Sequence, residues 1–279
     1  MQLKVMIKCK SHLLLYFLLL LFSCHQENKN SYESKSAETS NTQEVALQEK
    51  RPNTAEQILA KPEIPILCYH RIAEGRSDAY SVSPKTFAAH LQTLADSGYT
   101  AILPDQLFDY LLFNSELPEK SFMITFDDSR VEHIEIAAPE LEKHNFRGAF
   151  FIMTVTYNKK GYMSTGQIAE MVERGHTVGL HSWDHVIATK YTDSTSWKTQ
   201  VIAPKKKLEQ IIGQSVNYWA YPNGVYNHEA AKELANYFDL SFILMSKRDS
   251  IYPLQTVRRM IVPEMSPEKL LKSMADNFR

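Results

Sequence analysis

The chain is short of cysteine, of glycine and of net charge, and each shortage narrows what it can be. Its 279 residues hold three cysteines, Cys9, Cys24 and Cys68. Only Cys68 stays in the folded part on the reading of the N-terminus given below, and a lone cysteine cannot close an intramolecular disulfide. A core must hold the fold, and Cys68, inside an apolar run, reads as a small buried hydrophobe. The nine glycines form no glycine-rich dinucleotide turn, which removes a Rossmann reading. Lys+Arg 31 against Asp+Glu 32 gives a formal net charge of -1, which offers nucleic acid no general attraction. No internal repeat is evident. What is present is 44% hydrophobic and 23% charged residues, enough for one sizeable core.

The N-terminus has the order of an export segment. Lys4, Lys8 and Lys10 form a basic head, residues 13–22 are a ten-residue apolar run, and Leu21-Phe22-Ser23-Cys24 follows. Ten helical residues are too few to span a bilayer. The last four residues resemble the cleavage box of bacterial lipoproteins, in which the cysteine becomes the lipidated first residue; Phe22 is an unusual occupant, so secretion without lipid is the alternative. The expectation is a signal peptide at 1–23, a flexible polar tether at 24–61 that cannot repay the entropy of ordering, and a single catalytic domain at 62–279. The protein is then an exported cell-envelope lipoprotein, membrane-anchored through Cys24.

From residue 62 onward, short β-prone runs alternate with amphipathic helices. Runs at 64–69, 100–103, 121–126, 148–153, 176–181, 216–221, 240–245 and 256–262 read as strands. Ser83-Pro84 opens a helix with Phe87, Leu91 and Leu94 on one face, Ser164 to Gln167 forms a capping box, and Ser266-Pro267-Glu268 starts the last helix. A helix at 131–144 and another at 196–212, kinked at Pro204, lie between. This alternation predicts a parallel α/β architecture, best fitted by a distorted barrel of about seven or eight strands.

In such a fold chemistry gathers where strands end at their carboxyl side, and three polar clusters follow strands. Asp127-Asp128 can cap the next helix, or split roles, one binding a cation and the other accepting a proton from water. His181 and His185 can be independent surface histidines, or converge on one metal if a helical turn follows the strand; with Asp128 they make the open two-histidine, one-carboxylate set of a catalytic site. Tyr221-Pro222-Asn223-Gly224 is first a turn, and the Asn223 N–H can also stabilise an oxyanion.

Phe126-Asp127-Asp128, then His181-Ser182-Trp183-Asp184-His185, then Tyr221-Pro222-Asn223-Gly224, in this order, resemble the polysaccharide deacetylases of carbohydrate esterase family four. Cys68-Tyr69-His70-Arg71-Ile72 further resembles the branch acting on poly-β-1,6-N-acetylglucosamine. The resemblance implies Asp127 as general base, a divalent metal on Asp128, His181 and His185, and His70 as the acid that protonates the departing amine. It implies zinc first among cobalt, nickel and iron(II), and an N-acetylated polysaccharide as partner. Many relatives carry an arginine in the third motif that orients the base; here Arg259 is expected to replace it from another strand end. Trp183 or Tyr221 could stack against a sugar ring or serve the core. Ser129 stands where the family usually has glycine, and Asn223 where many members have tyrosine. Peptidoglycan, chitin-like oligomers, xylan, or a non-catalytic carbohydrate-binding role are the alternatives.

Overall fold

A computed structural model describes residues 51–76 and 78–278. The expected signal peptide at 1–23, Cys24 and the expected tether as far as residue 50 lie outside these described residues. Among the described residues no helix is long and apolar enough to cross a membrane.

In chain order the strands are β1 (Ile66–Tyr69), β2 (Arg71–Ile72), β3 (Ser81–Val82), β4 (Thr100–Ala101), β5 (Ser121–Phe126), β6 (Ala149–Ile152), β7 (Thr177–Leu180), β8 (Tyr218–Ala220), β9 (Leu240–Phe242) and β10 (Met260–Ile261). The α-helices are α1 (Ala55–Leu59), α2 (Pro84–Asp96), α3 (Pro104–Phe113), α4 (Ala138–Lys143), α5 (Thr165–Glu173), α6 (Ser194–Trp197), α7 (Ala203–Ile212), α8 (His228–Leu234) and α9 (Pro267–Asn277). The main sheet runs β10-β1-β5-β6-β7-β8-β9 with every pair parallel, and β4 pairs with β5. It curls into a half-barrel whose two edges are bridged by one segment. Val257 hydrogen-bonds to Ser241 and Ile243 beside β9, and β10, three residues on, pairs with β1. This is the distorted α/β barrel that the strand–helix alternation predicts.

Strand side chains alternate faces, and here both faces are buried, as parallel sheets require. Leu67, Tyr69, Phe122, Ile124, Phe126, Phe150, Ile152, Val178, Leu180 and Trp219 form the outer layer under α2, α5, α7 and α9. Ile66, Met123, Ala149, Phe151, Ala220, Leu240 and Phe242 form the inner layer, joined by Ile58 of α1 and Leu107 and Leu111 of α3. Residues one or two places past a strand inherit this phase, which decides who reaches the mouth of the barrel.

Two helices depart from the expected outline. The segment predicted as one helix at 131–144 is a π-turn at His133–Ala137 followed by α4, and the segment predicted at 196–212 is α6, a π-turn at Lys198–Ile202, then α7. In each the following α-segment carries a proline at its second position, Pro139 or Pro204. Proline has no N–H and clashes with the preceding turn; the wider π-turn, with the Ala138 and Ala203 N–H groups reaching back to His133 and Lys198, absorbs the misfit. Residues 53–59, expected within the tether, are structured. Thr54 and Gln57 close a capping box on α1, Ile58 is buried, and the Asn53 amide donates to the Leu111 carbonyl at 2.8 Å. One buried isoleucine and a good cap outweigh the polar composition around them.

His176, before β7, accepts from the Gly148 N–H at 3.1 Å through Nδ1 and faces Glu142 Oε1 at 3.1 Å through Nε2. Burial, only partly opposed by Glu142, lowers its pKa to about 4. Its unfolded value is near 6.5, so below that pH the unfolded chain takes up the proton first. This group's contribution is complete above pH 6.5 and lost between about 6.5 and 4, at most about 3 kcal/mol. Urea unfolding at pH 7.5 and 5 should show a clear drop for the wild type and a smaller one for His176→Asn; equal drops would contradict this role.

Candidate active site

The inner-layer phase runs Ile66, Cys68, His70 along β1, Met123, Thr125, Asp127 along β5, Thr177, Gly179, His181 along β7, and Val257, Arg259 toward β10. Five chemically active side chains therefore meet at the carboxyl mouth of the barrel. Asp127 continues β5, its N–H donating to the Tyr69 carbonyl at 3.1 Å. It is almost fully buried, and Arg259, fully buried, grips it with two parallel bonds, Nη1 to Oδ1 at 2.7 Å and Nη2 to Oδ2 at 2.8 Å. Thr125 Oγ1 accepts from the same Nη1 at 3.1 Å. Burial pushes the Asp127 carboxyl up, but Arg259 and then His181 overcome it and hold the group well below the usual carboxylate range. Asp127 is thus ionised and fixed in direction. Arg259 reaches Asp127 from the residue just before β10.

The chain then inverts. Asp128 and Ser129 both have left-handed backbone, φ 77 and φ 59, which turns Asp128 out of the strand phase and over the mouth. Left-handed backbone favours glycine, which gives Ser129 a physical account: it occupies a glycine conformation and compensates with its hydroxyl, which accepts from the Met153 N–H at 2.7 Å. Replacing it by glycine relieves strain of about 1 kcal/mol but orphans a buried N–H, a cost of about 1–3 kcal/mol. Ser129→Gly should therefore lower the thermal midpoint slightly, and Ser129→Ala, which keeps the strain, more. A midpoint raised by Ser129→Gly would show that the hydroxyl contributes little.

His181 ends β7, and His185 returns to it without the helical turn expected between them. Ser182 (φ 64) and His185 (φ 72) are left-handed instead, and Ser182 Oγ accepts from the His185 N–H at 2.8 Å. This tight loop brings the rings to 4.9 Å between centroids. Asp128 Oδ1 lies 3.7 Å from His181 Nε2 and 3.6 Å from His185 Nε2. His181 faces the Ala220 carbonyl through Nδ1 at 2.8 Å, a bond that places the proton on Nδ1 and leaves the Nε2 lone pair for a ligand. Burial, against the pull of Asp127 and Asp128, lowers the His181 pKa and favours the neutral ring. Asp128 Oδ1 and His181 Nε2 are buried without a hydrogen-bond partner. Two orphaned acceptors facing each other in a carboxylate–imidazole set fit a small divalent cation, with bonds of about 2.0–2.2 Å.

His70 Nε2 is 4.0 Å from Asp127 Oδ2, on the other side of the base. Its pKa is lowered by burial, opposed by Asp127. His70, Asp127, Asp128, His185, Asn223 and Leu244 line a cleft of about 450 Å³. Asn223 is left-handed (φ 58), and a Cβ on Gly224 (φ 65) would lie 2.3 Å from Leu244, so the turn both needs glycine and packs too closely for anything else. Tyr221 is not part of this cleft. It is fully buried, in the outer phase of β8, against Trp219 and Tyr226; it serves the core, a correction that strand alternation explains. Trp183 is 41% exposed but does not line the cleft. Sequence reasoning missed Tyr80, whose ring meets that of His70 edge-on at 5.1 Å, and Arg71 and Arg76, which also line the cleft. It also missed that Cys68 touches Asp127: Sγ donates to Asp127 Oδ2 at 3.6 Å.

Residues 114–240 match the family model described as polysaccharide deacetylase. The protein named "Putative polysaccharide deacetylase YxkH" of Bacillus subtilis strain 168 is 30% identical over 190 residues, 67% of each chain. Among solved structures, the Streptococcus pyogenes deacetylase PplD in complex with acetate is 25% identical with a TM-score of 0.69, covering 77% of this chain and 99% of its own. IcaB from Ammonifex degensii is 27% identical with a TM-score of 0.61, covering 77% and 97%.

Proposed function

Because the chain belongs to the polysaccharide deacetylase family, we propose that it is a metal-dependent hydrolase that removes N-acetyl groups from an extracellular polysaccharide, with poly-β-1,6-N-acetylglucosamine as the leading substrate. The observation that carries the reading is the pairing of two unequal aspartates, one locked by Arg259 and one facing two histidines, with Asp128 Oδ1 and His181 Nε2 left unmet. Asp128, His181 and His185 would hold a divalent cation, zinc first, which when bound would supply Lewis acidity and lower the pKa of water. Asp127 takes the proton of the attacking water, and Arg259 keeps its carboxylate aimed. The Asn223 N–H stabilises the developing oxyanion. His70 gives a proton to the departing nitrogen, which leaves as a free amino sugar with acetate as co-product. The choice of β-1,6-linked polymer rests on the resemblance of residues 68–72. We further propose export and a lipid anchor on Cys24.

A second substrate reading has one specific observation behind it. Arg71 and Arg76 line the cleft, and among the described residues neither guanidinium has a hydrogen bond or a close ion pair; Asp78 lines the cleft with them. Spare guanidinium groups favour a polymer with carboxylates, such as peptidoglycan. Acetate release from β-1,6 and β-1,4 N-acetylglucosamine oligomers and from peptidoglycan strands, after elemental analysis of bound metal, tests both. Release from the β-1,6 oligomer above the others supports the leading substrate, and release confined to peptidoglycan supports the second. Bound metal with no release from any acetylated glycan would leave a carbohydrate-binding protein of this fold.

A further inference from the structure

We propose that Cys68, His70 and Asp127 form a second cation site, selective for thiophilic ions such as zinc in excess or cadmium, whose occupation switches the enzyme off. The three side chains offer one ligand atom each, all within 4.8 Å of one another, and share none with the set of Asp128, His181 and His185. Cys68 Sγ lies 3.6 Å from Asp127 Oδ2 and 3.9 Å from His70 Nδ1. Tetrahedral bonds of about 2.3 Å to sulfur and about 2.1 Å to oxygen put those ligands about 3.6 Å apart. The sulfur–oxygen edge of a tetrahedral site is therefore already built, and the sulfur–nitrogen edge closes with a small movement of His70.

Charge allows it as well. A thiolate, the Asp127 carboxylate, the Arg259 guanidinium and a divalent ion sum to one positive charge, the same total as a divalent ion with Asp128 and two neutral histidines. Cys68 is completely buried, but His70 fronts the cleft, so an ion enters past that ring. The thiol is protonated at rest, since burial pushes it up. Coordination forms a metal–sulfur bond, breaks the S–H bond and releases one proton to solvent. It also displaces the thiol hydrogen bond to Asp127. The sulfur sets the selectivity: thiolate prefers zinc or cadmium, whereas magnesium and calcium prefer oxygen donors. With Asp127 and His70 both engaged, neither a base for water nor an acid for the amine is free.

The inhibitory half rests on the function proposed above, whereas the binding half does not, and the two are separable. Titrating the protein with cadmium should fill two sites, the second with one proton released and an ultraviolet thiolate-to-cadmium charge-transfer band. Cys68→Ala and Cys68→Val should fill one site with no band. With each variant measured against its own uninhibited rate, their inhibitory cadmium concentration should rise about 100-fold, roughly one ligand's share of a four-ligand site. A wild type that binds one ion without the band, or an unchanged band or inhibitory concentration in the Cys68 variants, overturns the proposal. A band in a protein that releases no acetate from any glycan upholds the cation site and rejects the deacetylase reading instead.

Discussion

Asp127→Asn lowers acetate release by about 10²–10⁴-fold, the usual range for losing a positioned general base, while bound metal per chain stays unchanged. The asparagine is isosteric, so His181, His185 and Asp128 keep their places, and nothing in that set uses Asp127 as a ligand. What changes is the group facing the water: an amide cannot take its proton. The substitution also leaves the Arg259 guanidinium buried with half its partner, a loss of about 3–5 kcal/mol. That is large, yet a domain with about 5–15 kcal/mol of stability stays folded through it, so circular dichroism at 25 °C should look native. Asp128→Asn is the contrast, because it should lose metal and activity together. Wild-type turnover by Asp127→Asn would mean that the base is elsewhere.

This separation of two neighbouring aspartates shows how far the chain could be read without coordinates. The barrel, the capping box at Ser164, the N-cap at Ser266 and the strand ends bearing Asp127 and His181 were legible because period and cap chemistry are local. Of the two roles open to Tyr221, its phase already pointed to the core: it lies two residues beyond outward-facing Trp219, whose neighbours Tyr218 and Ala220 face inward. Ser129 and the loop from His181 to His185 were not legible, since a left-handed residue other than glycine leaves no compositional mark. Tyr80 and Arg71 reach the cleft through the parallel pairing of β2 with β3, a contact that no local pattern announces. The π-turns before Pro139 and Pro204 were visible only as prolines in helical patterns.

Arg259→Ala should give the second large effect, and it should grow with pH in a way that a merely structural arginine does not. In the wild type Arg259 is charged, its pKa raised further by Asp127 although burial lowers it, and the pair holds the base ionised across the neutral range. Without the guanidinium, burial is the leading influence left on Asp127, and its carboxyl rises above the unfolded value of about 3.9. A carboxylate raised on folding is most favourable to the native state while protonated, so the variant loses stability as pH climbs from about 4 toward its new value. The wild-type pair behaves oppositely: its contribution is complete above about pH 4 and falls only in stronger acid. Unfolding by denaturant at pH 4.5 and 7.5 should therefore show a deficit for Arg259→Ala that grows with pH, reaching about 3–5 kcal/mol at the higher value. Acetate release should fall as well, with its acid limb displaced to higher pH because the base is protonated there. The double variant Asp127→Asn with Arg259→Ala should be less unstable than the sum of its parts, since each single change leaves a buried partner unsatisfied and the double change leaves no charge. A stability deficit that does not depend on pH, together with unaltered turnover, would make Arg259 a packing residue and leave the direction of the base to other groups.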